Sequence, residues 1–234
     1  NLTNQTTNNN NEFNHSINVT DLTGVSCFET NDTENFKINC TGHLQNNTLL
    51  SGGLYYLNIS VNDTYNNINS KTIWVNVTDT TSPIFVNLTN QTLEIGEFFN
   101  YTINATDLSG VSCFNLNNSN FKINCSGHLQ NNSFLPEGIY YLNISVNDTY
   151  ANNTAYELLK ITITDTTPPA FVNLTNQTTN NNNEFNYSII ATDLSGISCF
   201  EINDTTNFNI NCTGHLQNNT LLSGGLYYLN ISVN

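Results

Sequence analysis

Three times in this chain a cysteine is followed three positions later by a histidine, at Cys40-Thr-Gly-His43, Cys125-Ser-Gly-His128 and Cys212-Thr-Gly-His215, and each has a second cysteine upstream, at Cys27, Cys113 and Cys199. Two thiolates and an imidazole would give zinc three donors. A structural zinc site wants four, and no fourth cysteine or histidine recurs beside them. The competing chemistry is oxidation. Six cysteines, two in each copy and none in a CxxC pair, read as the local disulfides Cys27–Cys40, Cys113–Cys125 and Cys199–Cys212, formed in an oxidising compartment. Closing a loop of this size stabilises a small domain by about 3 kcal/mol in the chain-entropy account. The histidines then remain as solvated turn residues.

Carboxylates form a second constellation. Asp107 follows the second expected strand of the middle copy, Asp148 follows the sixth, and Asp79 lies in the linker that leads in. In a sandwich of that strand order these positions meet at one end, where three oxygens from two copies would begin a calcium site. Asp165 and Asp193 repeat two of the three members one junction further on. Aspartate is also a default turn residue that binds its own backbone, and no dense DxDxD run is present. Apart from calcium at these junctions, nothing calls for a cofactor. Catalysis finds no support: there is no nucleophile elbow, phosphate-binding glycine loop or HExxH, and no enzyme activity is expected.

The third chemistry is covalent. Asn-x-Ser/Thr, the acceptor signal for N-linked glycans, recurs along the whole chain. Of more than two dozen such positions, those expected to carry glycans include Asn1, Asn4, Asn18, Asn58, Asn62 and Asn76 in the first copy, Asn87, Asn90, Asn100, Asn104, Asn143 and Asn147 in the second, and Asn173, Asn176, Asn186 and Asn230 in the third. Asn58, Asn76, Asn143 and Asn230 lie on the polar phase of strands. In several strands an aromatic stands two positions before the asparagine, as in Tyr56–Asn58, Trp74–Asn76, Tyr141–Asn143 and Tyr228–Asn230, which places ring and glycan on one face.

The elements that carry these residues repeat. NLTNQT begins at Asn1, Asn87 and Asn173, and the first cysteine of each pair keeps the same offset, so the chain divides into copies at 1–86, 87–172 and 173–234. Within a copy the firmest strand is GIYYLNISVN at Gly138–Asn147, where Tyr140, Leu142, Ile144 and Val146 share one face and polar residues the other. Phe99, Tyr101, Ile103 and Ala105 mark another strand, with Phe13, His15, Ile17 and Val19 in the same role in the first copy. Phe85–Leu88 reads as a short first strand and Ser133–Leu135 as a weak one. Val111–Phe114 reads as a strand with Phe121, Ile123 and Cys125 as its hairpin partner, and Leu159, Ile161 and Ile163 mark the last. About seven short strands between turns predict an all-β fold of β-sandwich domains. The Pro-containing linkers Asp79–Pro83 and Asp165–Pro169 should stiffen the array into a rod.

Composition excludes partners. The chain of 234 residues carries four Lys+Arg against 18 Asp+Glu, a net charge of −14. It has no basic surface for phosphates, so nucleic acid is not a partner, and an anionic membrane would repel it. No apolar run is long enough to insert in a bilayer. The absence of an initiator Met suggests a processed or partial chain. The third copy stops at Asn234, before the segment that occupies Ile73–Val77 and Leu159–Ile163 in the others, so an open sheet edge is expected there.

The linker Asp165-Thr-Thr-Pro-Pro169, the strand pattern GxYxLxIxVxD and the turn after it resemble the immunoglobulin-like (Big, HYR and cadherin-like) repeats of prokaryotic, especially archaeal, cell-surface proteins. The resemblance covers the whole chain. It implies tandem immunoglobulin-like β-sandwich domains at the cell surface, in a stalk, sheath or filament with self-association between chains, or else in an adhesin that binds a glycan or a partner cell. In cadherin-like arrays calcium stiffens the junctions, which is what the acidic constellation would do here. The antibody-type disulfide between the second and sixth strands does not carry over, because these cysteines lie elsewhere.

Overall fold

A computed structural model describes residues 2–234. By internal contacts they fall into two compact units: residues 2–90, 99–132 and 141–160 form one, and 91–98, 133–140 and 161–234 form the other. The fold is all-β: tandem β-sandwich domains of immunoglobulin-like type.

In the first unit, the first copy supplies seven strands: β1 (Gln5–Asn8), β2 (Asn14–Ser16), β3 (Val25–Thr30), β4 (Phe36–Ile38), β5 (His43–Asn46), β6 (Gly53–Asp63) and β7 (Ile68–Thr78). One sheet runs β1-β7-β6-β3 and the other β2-β5-β4. β6 and β7 pair antiparallel from Gly53↔Val77 to Asn62↔Ile68, while β1 lies parallel to β7. Alternation explains the core: Leu57 and Ile59 of β6 and Ile73, Val75 and Val77 of β7 turn inward, against Phe13, Ile17, Phe36 and Leu44 of the facing sheet. Phe36 sits between Phe13 and Tyr55 in two edge-on contacts with centroids 5.9 and 5.6 Å apart, the geometry that ring quadrupoles favour.

The alternation expected for Gly138–Asn147 is present, with Leu142, Ile144 and Val146 buried in a strand that runs Gly138–Asp148. Several expectations change. Phe85–Leu88 is not one strand: Ile84–Phe85 pairs with Ala105–Thr106, and the chain then forms a separate strand, Gln91–Glu94, parallel to Ile161–Thr164. Such a switch lets one segment edge two sheets. Val111–Leu116 and Phe121–Ile123 are not a hairpin. The first pairs with Gly138–Asp148, the second with His128–Asn131. Cys125 is exposed rather than inward, beyond the end of its strand. Ser133–Leu135 forms no strand, although Leu135 is buried. In the first copy Val19 is 43% exposed, since no counterpart of Ala105–Thr106 holds that segment in a sheet.

The second unit contains the pairs Ala170–Phe171 with Ala191–Thr192 and Phe200–Ile202 with Ile231–Val233, and the ladder Asn186–Ser188, His215–Asn218, Phe208–Ile210. Its core gathers Ile189, Phe200, Phe208, Leu216 and Leu222. Among the described residues no helix is long and apolar enough to cross a membrane.

Candidate functional site

The structure brings Asp79, Asp107 and Asp148 together. One carboxylate oxygen from each lies within 4.8 Å of the other two, so they could ligate one ion. All three belong to the first unit. Asp79 follows β7, Asp107 opens the turn after Ala105–Thr106, and Asp148 ends the strand Gly138–Asp148. Asp107 and Asp148 are held by their own loops, and Asp79 by its own turn and by Asn9. Asp107 Oδ1 accepts the Ser109 amide at 2.8 Å, and Asp148 accepts the Ala151 amide at 3.0 Å and Asn153 Nδ2 at 2.7 Å. Asp79 Oδ1 takes three donors, Asn9 Nδ2 at 2.6 Å, the Thr81 amide at 2.9 Å and the Thr81 hydroxyl at 2.8 Å.

The other oxygen of Asp79 has no partner at hydrogen-bond distance and angle, although the Ser109 hydroxyl is near enough to favour the ionised carboxylate. Asp79 is 4% exposed, and both its Oδ2 and the Oδ1 of fully buried Asn9 lack a hydrogen-bond partner. A buried carboxylate oxygen left without a partner costs on the order of 1–3 kcal/mol, and here it sits beside two further carboxylates. A divalent cation is the partner that would satisfy all of them at once, and a hard oxygen set is what calcium takes. Asp79, Asp107 and Asp148 would hold it. Electrostatics agree with an unfilled demand for positive charge. Burial pushes the Asp107 carboxyl above its ordinary value, the Ser109 amide opposes this, and the charges of Asp79 and Asp148 add to the rise. Burial also works against ionised Asp79, but hydrogen bonds from Ser109, Thr81 and Asn9 outweigh it and hold the group below its ordinary value.

The loops at this site are tied across the linker. The Gly52 amide donates to Ser109 Oγ at 2.8 Å, and Asn153 Nδ2 reaches the Asp79 carbonyl at 3.3 Å. A Cβ at Gly52 would come within 2.6 Å of the Tyr150 ring, so only glycine allows this approach. At the second junction Asp165 and Asp193 cap their own turns, to Thr167 and Ser195, and no group of three forms there among the described residues. Asn9 went unread in the sequence. It lies in a run of asparagines, and only its burial against the linker distinguishes it.

The six cysteines are bonded as Cys27–Cys40, Cys113–Cys125 and Cys199–Cys212, which removes them as zinc ligands. In the first copy the bond joins β3 of one sheet to the turn that follows β4 of the other.

The sequons divide by what their side chains do. Asn1 lies outside the described residues. Asn87 donates from Nδ2 to the Thr102 carbonyl at 2.8 Å and accepts the Asn104 amide at 2.6 Å, and Asn173 makes the matching pair with Ser188 and Ile190. They brace one strand against its neighbour. Asn4, Asn62 and Asn90 accept the amides of Trp74, Cys27 and Lys160, and Asn147 donates to Asp148 and Asn152. Asn18 is half of an interaction too. Asn58, Asn100, Asn104, Asn143, Asn176, Asn186 and Asn230 are exposed, and Asn76 is half-buried.

The chain matches no protein-family profile and no curated protein. Among solved structures it is similar to mouse protocadherin-24 EC1-3, at 16% identity over 94% of this chain and 84% of that one with a TM-score of 0.38. It is also similar to Drosophila N-cadherin EC1-3, at 15% identity over 95% and 87% with a TM-score of 0.41.

Proposed function

We propose that this chain is a structural array of immunoglobulin-like domains, with copies at 1–86, 87–172 and 173–234, built into an extracellular stalk, sheath or filament of a prokaryotic, archaeal, cell surface. The disulfides suit an oxidising exterior. Exposed sequons such as Asn58, Asn143 and Asn230 carry N-linked glycans, which supply solubility that a chain with only 9% charged residues otherwise lacks.

The observation that carries this reading is the junction at Asp79. A linker whose carboxylate is buried beside two others, and whose neighbouring loops are hydrogen-bonded across it, serves to fix one copy against the next. Mechanical continuity is useful to a stalk or filament and irrelevant to a small-molecule site. Calcium is the ion of choice, because the donors are all oxygen.

Isothermal titration with calcium, with thermal unfolding in calcium and in chelator, tests the junction. Calcium should bind one site and raise the unfolding temperature, and Asp79→Asn should abolish both effects. Equal unfolding temperatures in calcium and chelator would sink the cation reading. Electron microscopy of purified material tests the larger role: a helical polymer supports a filament, whereas isolated rods that bind a glycan or a cell would move the chain to the adhesin class.

A further inference from the structure

The outer face of the β6–β7 pair holds an arrangement that the second copy does not repeat. Tyr56 of β6 stands directly opposite Trp74 of β7, with Leu54 opposite Asn76 on one side and Asn58 opposite Thr72 on the other. Residues directly paired, or two apart along a strand, share a face. The aromatic row is therefore flanked at opposite corners by two sequon asparagines, Asn58 in Asn-Ile-Ser60 and Asn76 in Asn-Val-Thr78. Tyr56 is 62% exposed and Trp74 half-buried. The two rings present apolar area on this face.

We propose that the Tyr56–Trp74 pair is a carbohydrate platform, on which the first sugars of glycans attached to Asn58 and Asn76 lie. The proposal rests on the glycosylation reading above and adds where the sugars go. Each asparagine lies two residues, about 7 Å of backbone, from the aromatic on its own strand, so the glycan need not extend to reach it. The C–H faces of a pyranose meet the electron-rich ring faces favourably. Backbone geometry holds the shelf still: the Trp74 amide donates to Asn4 Oδ1 at 3.1 Å and the Asn58 amide to Asn31 Oδ1 at 2.7 Å. The second copy lacks the parts. The parallel pairs Gln5↔Val75 and Gln91↔Ile161 fix the equivalence, and by it Lys160 and Thr162 stand where Trp74 and Asn76 stand here. Tyr141 and Asn143 form half a platform.

Trp74 is the only tryptophan in the chain, so fluorescence excited selectively in tryptophan, at the red edge where the tyrosines do not absorb, reports on this shelf alone. The full chain would be made in a host with N-linked glycosylation, as wild type, as Asn58→Gln/Asn76→Gln, and as Asn143→Gln. Glycopeptide mass spectrometry gives occupancy, and acrylamide quenching gives the exposure of Trp74. The proposal expects sugars at both sites and quenching about twofold stronger in the double variant, with no change in Asn143→Gln. Sugars at both sites with unchanged quenching would overturn the platform and leave glycosylation standing. Bare asparagines at 58 and 76 would overturn both at these positions. An equal rise in Asn143→Gln would show a loss of structure at a distance and overturn the local account.

Discussion

The ten residues Gly53–Asn62 and Gly225–Asn234 are identical in sequence, yet the first ten are strand throughout and of the second only Ile231–Val233 is. The aromatic packing beneath them is the same: Phe13–Phe36–Tyr55 has centroid spacings of 5.9 and 5.6 Å, and Phe185–Phe208–Tyr227 has 6.0 and 5.6 Å. What differs is the neighbour. β7 pairs with β6 from Ile68 to Val77 and seats β1 beside it, whereas Gln177–Asn180, the counterpart of β1, is not strand. Leu57 and Ile59 are buried; Leu229 and Ile231 are half-buried and line a groove of about 580 Å³. The strand propensity of GLYYLNISVN is thus realised only when its partner strand is in place.

The largest test supplies that partner. Extending the chain after Asn234 with a copy of residues 63–79 should extend the strand back toward Gly225, order Gln177–Asn180, and slow amide exchange at Leu229 and Ile231 by about a hundredfold or more. Unchanged exchange would mean that something other than the partner strand separates the two segments.

Truncating the buried leucines sharpens the contrast. Leu57→Ala should destabilise the first copy by about 3 kcal/mol, as for other fully buried leucines, and Leu229→Ala by about 1 kcal/mol or less, because its side chain already meets water. Both can be read by hydrogen exchange in denaturant. In the extended chain the Leu229→Ala cost should approach that of Leu57→Ala, and equal costs without the extension would break the comparison.

The disulfides should weigh unequally for the same reason. Each closes a similar loop, worth about 3 kcal/mol, but the sealed first copy has more core to fall back on. Cys199→Ser/Cys212→Ser should open its region to limited proteolysis under conditions where Cys27→Ser/Cys40→Ser leaves the first copy intact. Non-reducing peptide mapping of the unsubstituted chain should find every bond within its own copy.

Much of this was legible in the alternation of apolar residues. Leu142, Ile144 and Val146 declare their face, and three turn-bounded copies declare the repeat. The strands that escaped are short and polar. Gln91–Glu94 and His128–Asn131 hold one apolar residue each, Leu93 and Leu129, because their place depends on backbone pairing rather than side-chain burial. Ser133–Leu135 misled for the opposite reason, since Leu135 is buried without a ladder. The acidic site was half visible. The three aspartates could be placed at one end from strand order, but the orphaned oxygens of Asp79 and Asn9 depend on packing that no local pattern reports.

The smallest expected effect is the pH response of that acidic group, with the third copy as control, because Asp193 has no triad around it among the described residues. Asp79 ionises more readily in the fold than at its ordinary value of 3.8, so it contributes stability that is present above that value and lost as pH falls through its lower folded value. Asp107 does the reverse. Its folded carboxyl holds a proton more tightly than the unfolded one, so its charge costs stability near neutrality, and the cost is relieved as pH falls through its raised folded value. In chelator, stability should therefore rise slightly on acidification from neutrality and fall once pH drops below the ordinary carboxylate range. Asp107→Asn should remove the rise and Asp79→Asn the fall, while Asp193→Asn should alter neither. In calcium the slope should change sign, because protons now compete with the ion for Asp107, and stability should decline throughout acidification. Thermal unfolding across pH with and without calcium distinguishes these curves, and one curve for both conditions would mean that the three carboxylates hold no ion.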